Sequence, residues 1–417
     1  MTATVLPSSR HPPIIDSPGA VRRINRARVL EVIRLEGPLT RPEVVQRTGL
    51  SKVTVREVCD GLLVEGLVEE RPPDVERRRG PGRPASQLAF RADLGHVLGI
   101  DVGADKVLVL LADLGGRVVA SHRVALGTDR RPRRDEVLAI VDEAVDAVRV
   151  QAGGDQASLR VAVVGTPGVV DPDTGVISLA PQIDGWDGTL LAQELGRRLP
   201  CQTLAENEVQ LAVVGERWRG AAYDLDAVVY LQLGIGVAAG IVVRGELHRG
   251  SAGGAGEIGY LPVRGAAEPP DGYGPFEWSA GGRAFARHGE EAARRPEGAR
   301  LLALAGGDAA RIDARIVFAA AAEGEPAALA IIAEVADRIA HGVATLACVL
   351  NPAVVVVGGG LSNAGSMLLG PLRERVNRLV PLPPEIVLSR LGERAVALGA
   401  LRLALEAAHA QLEAPVS

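Results

Sequence analysis

Glycine-rich turns end three apolar stretches of this sequence, and turns of this kind can hold anions. They are Asp101–Gly103, Gly234–Gly236 and Gly358–Gly360. Such turns let backbone amides approach an anionic ligand closely, as in phosphate-binding loops. Each turn alone is weak evidence, because tight turns need glycine for conformational reasons. The three together, in this order, are more specific evidence for a ligand than any one of them.

A second group of residues suited to chemistry lies near the N-terminus, where the pattern predicts a helix-turn-helix. Thr40 and Glu43 have the spacing of a capping box, and after a turn at Gly49 a further helix is capped by Ser51. In this motif the first residues of the last helix face base edges in the major groove. The alternative is a three-helix core without a ligand. We favour DNA binding, with these candidate contacts: Thr40, Arg41, Ser51, Lys52, Thr54, Arg56, Arg79 and Arg83.

A wing is predicted to follow the helix-turn-helix. Leu67–Glu70 and Gln87–Phe90 have the composition of a strand pair, and an arginine-rich Gly/Pro segment, Arg77–Arg83, separates them. Arginines in an extended segment suit phosphates or a narrow minor groove. A solvated charged linker has the same composition, so both interpretations stay open for this segment.

The elements that position these residues are predicted from periodicity and turns. The chain has 417 residues, of which 47% are apolar, so a mainly disordered protein is excluded. Strands alternating with a helix near 135–150 predict an α/β body. The predicted strands are Val97–Gly103, Val107–Leu111, Val118–Arg123, Val161–Val164, Val228–Leu233, Ile241–Val243 and Val354–Val357.

Charge is distributed unevenly along the chain. The net charge is −5, but residues 1–92 carry +5 and the remaining residues carry −10. A basic head on an acidic body is compatible with a DNA-binding module joined to another domain. The sequence has no CxxC pair, signal peptide or apolar run long enough to span a membrane, which predicts a cytoplasmic protein without a disulfide framework.

The body resembles the ROK family, which includes bacterial repressors and sugar kinases. The central matches are Leu233–Gly250 and Gly254–Tyr260. Supporting matches are Thr166–Asp171, Glu206–Glu208, Gly274–Glu277 and Asn351–Gly360. In the head, Thr48–Ser51 and Gly82–Pro84 resemble the repressor branch of the family. The resemblance extends from about residue 20 to residue 405.

The resemblance implies a domain organisation. It predicts an α/β fold in which a winged helix-turn-helix precedes an actin-like (ribonuclease-H-like), two-lobed body of the sugar-kinase type. The expected segments are a flexible leader at 1–19, the DNA-binding domain at 20–92, a first lobe at 93–205 and a second lobe at 206–392. The C-terminal helix, about 393–410, is expected to join the first lobe.

The same resemblance implies a sugar site and a catalytic machinery that has decayed. Kinase members carry an Asp as general base, and Glu208 takes its place here as a vestigial base. Family hydroxyl positions in the phosphate loops are occupied by Asp105 and Ile235. Because phosphoryl transfer depends on positioning and electrostatics, we expect no kinase activity and no cofactor. The expected ligand contacts are Gly168, Asn207, Glu208, Glu257, Tyr260 and Glu277.

Other interpretations stay open for three of these residues. Glu257 and Glu277 also match carboxylates with a purely structural role, and Tyr260 also matches an aromatic residue of the core. Family members bind zinc through one His and three Cys, but Tyr260 stands at the His position and Glu268–Glu277 contains no Cys. No metal site is therefore expected, and packing by aromatic residues in that loop is our hypothesis for what replaces it.

The sequence thus predicts a transcriptional regulator, a repressor of sugar uptake or catabolism genes. Its expected partners are double-stranded operator DNA, a sugar or sugar-derivative effector in the cleft, and further copies of the chain in a homodimer or homotetramer, with no membrane. The alternatives are an active ATP-dependent sugar kinase with a DNA-binding head, and a regulator with a non-sugar ligand or none.

Overall fold

The computed structural model describes residues 18–72, 86–127, 130–154, 158–263, 268–270 and 272–413. The predicted leader up to residue 17, the central part of the predicted wing and its Arg79 and Arg83 lie outside these ranges. Among the described residues, no helix is both long and apolar enough to cross a bilayer.

The N-terminal head consists of helices packed on a small antiparallel sheet. Its elements are α1 (Pro18–Glu36), β1 (Leu39–Thr40), α2 (Arg41–Thr48), α3 (Lys52–Val64), β2 (Val68–Arg71) and β3 (Gln87–Phe90). The two predicted wing strands do pair, Val68 with Phe90 and Arg71 with Gln87. Residues 39–40 form an additional short strand on the other side of β3, which the sequence pattern did not indicate.

The caps predicted for the head are present. The Thr40 hydroxyl accepts a hydrogen bond from the Glu43 amide at 3.4 Å, and the Glu43 carboxylate accepts one from the Thr40 amide at 2.7 Å. Ser51 caps α3 by accepting from the Thr54 amide at 3.1 Å. These bonds satisfy amides that helix ends leave unpaired, so local sequence fixes where α2 and α3 begin.

The helical periodicity that begins at Val21 predicts that Ile24, Val29, Val32, Ile33 and Leu35 lie roughly on one face of α1, and the structure differs from this prediction. Val29 and Ile33 are buried as expected, but Ile24 is 46% exposed and Leu35 is 64% exposed. The buried stripe instead includes Leu30, one helical turn from Ile33. The helix also begins at Pro18, inside the predicted leader, because proline is tolerated in a first helical turn.

The first body sheet is mixed and has the order β10-β7-β4-β5-β6. Its strands are β4 (His96–Val102), β5 (Lys106–Asp113), β6 (Val118–Ala125), β7 (Leu159–Thr166) and β10 (Gln202–Asn207). Helices α4 (Arg134–Gln151) and α5 (Leu191–Gly196) accompany it, and β8 (Val169–Val170) pairs with β9 (Ile177–Ser178). Strand β10 continues past the predicted lobe boundary at residue 205, because it pairs in parallel with β7 up to Asn207.

The second body sheet is also mixed and has the order β13-β12-β11-β14-β15. Its strands are β11 (Ala227–Leu233), β12 (Val237–Val243), β13 (Glu246–Leu247), β14 (Val354–Gly358) and β15 (Glu385–Leu388). Its helices are α7 (Pro275–Ala280), α8 (Gly282–Ala293), α9 (Ala299–Leu304), α10 (Ala314–Ala322), α11 (Pro326–Leu350) and α12 (Ser366–Leu379). Strand β12 begins at Val237 rather than at the predicted Ile241, because the whole segment pairs with β11.

Two helices connect the sheets with each other and with the head. Helix α6 (Glu208–Arg219) follows β10 directly and packs on β12, and α13 (Ala395–Glu413) packs on α6, β4 and β7. Small residues allow this close approach: a Cβ at Gly215 would lie 2.2 Å from the Ala395 carbonyl oxygen. Helix α13 also contacts α1, where Arg26 donates to the Leu412 carbonyl at 2.8 Å.

Candidate functional site: a carboxylate-lined cleft and an exposed helix start

Asn207 and Gly168 join two segments at the junction of β10 and α6. The Asn207 side chain caps α6 by accepting from the amides of Val209 and Gln210, and its Nδ2 donates to the Gly168 carbonyl at 2.8 Å. Gly168 has φ +84°, and a Cβ there would lie 2.5 Å from the Ser178 carbonyl oxygen. Both predicted residues therefore shape the loop that faces the start of α6, and Asn207 is buried while doing so.

Glu208 is the first residue of α6 and lies among other carboxylates. Burial, and then the negative charges of Asp101, Asp105 and Glu257, raise the pKa of Glu208 to about 8, while Lys106 opposes the shift. A carboxyl group in these surroundings keeps its proton at neutral pH. In this protonated form, the Glu208 carboxyl group is better suited to donate a hydrogen bond than to accept a proton.

Lys106 forms an ion pair with Asp101 at the floor of the cleft. Its ammonium group hydrogen-bonds the Asp101 carboxylate, which is itself buried. Burial tends to lower the pKa of Lys106, but Asp101, and to a smaller extent Asp105 and Glu208, raise it above its usual value. Lys106 was not among the predicted site residues, because its pairing with Asp101 depends on how β4 and β5 pair in the folded chain.

Glu257, Tyr260 and Glu277 form a second group, whose charges act on one another and, through Glu257, on Glu208. We call the region lined by this group and by Glu208, Asp101 and Lys106 the cleft. Burial and the charge of Glu277 raise the pKa of Glu257, and both carboxylates contribute to the raised pKa of Tyr260. Glu277, on α7, accepts a hydrogen bond from the Val237 amide at 3.1 Å. Tyr260 is 49% exposed, so the core-aromatic interpretation of this residue is wrong.

Two of the three predicted turns, those after β11 and β14 of the second sheet, lie together. A Cβ at Gly359 would lie 2.4 Å from the Leu233 carbonyl oxygen, so the turns after β11 and β14 are neighbours. The Tyr230 phenol lies beside Gly358, and the charges of Glu208 and Asp101 help to raise its pKa. Ile235, at a family hydroxyl position, is 70% exposed.

A buried ion pair that the sequence analysis missed lies beside Asn207. Glu206 is buried and its carboxylate accepts from Arg249 Nε at 2.5 Å. This pair ties the end of β10 to the segment after β13, close to Gly253, whose carbonyl accepts from Gln210. Glu206 lay in the quoted Glu206–Glu208 motif, but only the folded chain shows that its partner is Arg249.

The predicted DNA-facing residues fall into two groups. Lys52 and Arg56 are exposed at the start of α3, and Thr54 is half-buried and hydrogen-bonded to Ser51. Arg41 instead donates to Glu70 and to Asp60, which ties α2 to β2 and α3. The exposed start of α3 is thus the part of the head best placed to contact another molecule.

The residues at the family's zinc position do not fit a zinc ion. Zinc in structural sites takes thiolate and imidazole ligands, and Tyr260 and the described part of Glu268–Glu277 offer neither. Across the described residues there is no group of three or more His, Cys, Asp or Glu side chains that suits a metal. The cysteines lie elsewhere: Cys59 is buried in the head, Cys201 precedes β10 and Cys348 is exposed on α11.

Two mixed sheets connected by α6, with α13 packed on α6 and on the first sheet, define an α/β body of the sugar-kinase type. Residues 97–407 match the model of the ROK family, so the chain belongs to that family. The family resemblance inferred from the sequence motifs is confirmed.

Relatives of two kinds are similar to this chain. It is 27% identical over 393 residues to the xylose repressor of Caldicellulosiruptor bescii, which covers 92% of this chain and 96% of the relative. It is 31% identical over 322 residues to the glucokinase of Thermotoga maritima, which covers 74% of this chain and 97% of the relative. The repressor therefore also matches the head, whereas the kinase matches about the length of the body.

Solved structures divide in the same way. A ROK family glucokinase from Streptomyces griseus in complex with glucose and AMPPNP superposes with TM-score 0.64 at 29% identity, covering 75% of this chain and all of the other. A ROK family transcriptional regulator, homologous to the MLC protein of Escherichia coli, superposes with TM-score 0.74 and covers 94% of this chain and 98% of the other. At 22% identity the second likeness concerns the fold alone.

Proposed function

We propose that this protein is a sugar-responsive, DNA-binding transcriptional regulator, a repressor of sugar uptake or catabolism genes. The observation that carries the proposal is the similarity to a xylose repressor over 92% of the chain, head included. A kinase needs only the body. The additional N-terminal head is therefore best explained by a role in regulation.

The head is proposed to read DNA as a winged helix-turn-helix. Helices α2 and α3 meet at Gly49, and β2 and β3 supply the wing. Lys52, Thr54 and Arg56 at the start of α3 then face base edges or nearby phosphates in the major groove. Because one such half-site is short, we propose that the protein binds a roughly palindromic operator as a homodimer or as part of a homotetramer.

The cleft is proposed to bind a sugar or sugar derivative through Asn207, Glu208, Glu257, Tyr260 and Glu277, with Gly168 shaping the facing loop. Carboxylate and phenol oxygens suit hydroxyl groups. The acidic side chains outnumber the single ammonium group of Lys106, which Asp101 already engages. A phosphate ester would therefore meet net repulsion, so an uncharged sugar is the favoured effector.

Helix α13 provides a route from the cleft to the head. It packs on α6, which begins at Glu208, and on β4, which carries Asp101, and it also contacts α1. An effector that changes the angle between the lobes would move α13 and change the spacing of two heads in a dimer. The effector needs a different affinity for the two states, and a few kcal/mol suffices to switch operator occupancy.

Kinase activity is proposed to be lost. Asp105 and Ile235 stand where kinase members carry hydroxyl groups, and a carboxylate at the first of these positions repels a triphosphate. Glu208, with its pKa raised to about 8, is mostly protonated at neutral pH, and in that form it does not accept the proton of a sugar hydroxyl.

The proposal is tested by three measurements on the full-length protein. Gel shifts at fixed salt with DNA from around its own gene and neighbouring sugar-transport genes should reveal a specific complex. Thermal shifts with xylose, glucose and their phosphate esters should show stabilisation by an uncharged sugar that also weakens the DNA complex. A coupled ADP-release assay over the same sugars should show no turnover.

Sustained turnover would instead support the active-kinase alternative. No stabilisation of the protein by any of these sugars would support a regulator with another ligand or none.

A further inference from the structure

The segment at the family's metal position is held by stacked aromatic and guanidinium groups. The rings of Tyr273 and Trp278 have centroids 5.8 Å apart and are tilted by 49°. The Arg283 guanidinium lies 4.8 Å from the Tyr273 centroid, and that of Arg287 lies 4.9 Å from the Trp278 centroid. We call these four side chains the aromatic–arginine cluster.

The cluster connects α8 with α7 and with the segment before α7. Arg283 and Arg287 lie one turn apart on α8, whereas Tyr273 precedes α7 and Trp278 lies within it. Arg287 Nη1 also donates to the Trp278 carbonyl at 3.3 Å. Burial is the main cause that lowers the pKa of Arg287, so this cation stacks in a partly desolvated place where such contacts are stronger.

The segment held by the cluster supports the cleft. Gly274 packs so closely against the turn before Tyr260 that a Cβ would lie 2.1 Å from the Gly259 carbonyl oxygen. Phe276, on α7, is buried in the core, where α7 packs against α11. Glu277, between Phe276 and Trp278, hydrogen-bonds the Val237 amide. Order in residues 272–281 therefore decides where the Glu277 carboxylate lies.

We propose that the aromatic–arginine cluster takes the place of a structural metal ion and orders residues 272–281 without one. Tyr273, Trp278, Arg283 and Arg287 act as positioning residues for Glu277. The inference concerns the order of this segment, so it holds whether or not the protein proves to be a regulator.

The first test is metal dependence. Zinc is measured by elemental analysis of the purified full-length chain, and thermal unfolding is followed before and after treatment with 1,10-phenanthroline. We expect far less than one zinc per chain and an unchanged unfolding midpoint. A stoichiometric zinc whose removal lowers the midpoint would overturn the proposal.

The second test is local order, measured by hydrogen exchange of peptides covering residues 272–281. Arg287→Met keeps the apolar stem but removes the cation, and exchange there should become about 2- to 30-fold faster. Arg287→Lys keeps a cation and should restore part of the protection. The matched control is Arg219→Met, since Arg219 stacks on Trp218 at the end of α6, with 3.8 Å from its guanidinium carbon to the ring centroid.

The comparison between these variants decides the outcome. Exchange of residues 272–281 should be unaffected by Arg219→Met, whose lost stacking lies outside the segment. If Arg287→Met exchanges no faster there than Arg219→Met, or if Arg287→Lys is as fast as Arg287→Met, the cation on the ring is not what orders the segment.

Discussion

The start of α3 and the floor of the cleft differ in how their proposed ligand-contacting residues are surrounded. At the start of α3, Lys52 is exposed and Arg56 has a side chain 79% exposed, with Asp60 no closer than 3.8 Å. In the cleft, Glu208 shares its electrostatic surroundings with Lys106, Glu257 and further carboxylates. A substitution on α3 should therefore affect only the contact with the ligand. A substitution in the cleft should also change the ionisation of the neighbouring side chains.

The largest expected effect is the loss of the effector response in Glu257→Ala. This carboxylate is a proposed sugar contact and also helps to raise the pKa of Glu208. DNA binding without sugar should stay as in the wild type, while the sugar that stabilises the wild type no longer weakens the complex. Gel shifts with and without that sugar measure both quantities.

The control for this variant is Glu297→Ala, which removes an exposed carboxylate between α8 and α9. It should respond to the sugar like the wild type. A Glu257→Ala protein that still releases DNA on addition of the sugar would show that Glu257 is only a structural carboxylate.

The next effect in size is a loss of operator affinity in Arg56→Ala. A guanidinium that contacts a base edge contributes about 1–3 kcal/mol, so affinity should fall by roughly 5- to 150-fold at fixed salt. The response to sugar should remain, because α3 is remote from the cleft carboxylates. Arg315→Ala removes an arginine that is 93% exposed on the body and serves as the charge-matched control. Unchanged operator affinity in Arg56→Ala would contradict the docking of α3.

The head was predictable from sequence because its signals are local. The capping box at Thr40 and the cap at Ser51 are set by residues three positions apart, and the structure has both. The errors at Ile24 and Leu35 arose because periodicity gives a helix face only approximately, and which face is buried depends on what packs against it. In α1 that partner includes α13, far away in the sequence.

The cleft was predictable only in outline. Family motifs selected Glu208, Glu257 and Glu277, which do lie close together. The partners of these groups were not visible, because the Lys106–Asp101 ion pair spans a hairpin and the Glu206–Arg249 pair joins distant segments. The role of Asn207 as a helix cap also required the geometry of β10 and α6. Sequence motifs thus selected the candidate residues, and the tertiary structure decides their ionisation.

An effect of a different kind, on stability rather than on binding and dependent on pH, is expected for Glu208→Gln. The unfolded chain ionises this carboxyl near its usual value of 4.5, whereas the folded chain keeps the proton up to about pH 8. The folded state therefore binds more protons in this interval, and its stability falls as the pH rises. Glutamine removes that penalty, so the variant should gain up to about 4 kcal/mol over the wild type at pH 8.

At a pH near 4 both proteins carry a neutral side chain here, so the gain should disappear. Urea unfolding at the two pH values measures the difference, and Glu297→Gln, at an exposed carboxylate, should show no such trend. An equal difference at both pH values would mean that lost contacts, rather than ionisation, explain the result.

The smallest effect is expected where the head meets the body, and Arg26→Met tests whether this contact links the two regions. Arg26 donates to the Leu412 carbonyl and to the Glu65 carboxylate, so one side chain joins α1, α3 and α13. Methionine keeps the apolar stem and removes both bonds, at a cost of about 1 kcal/mol. If α13 carries the signal, operator affinity without sugar should change little, whereas the ratio of affinities with and without sugar should fall about fivefold. Arg23→Met, at an exposed position of α1, should leave the ratio unchanged. Equal ratios in both variants would mean that the cleft communicates with the head by a route that does not depend on Arg26.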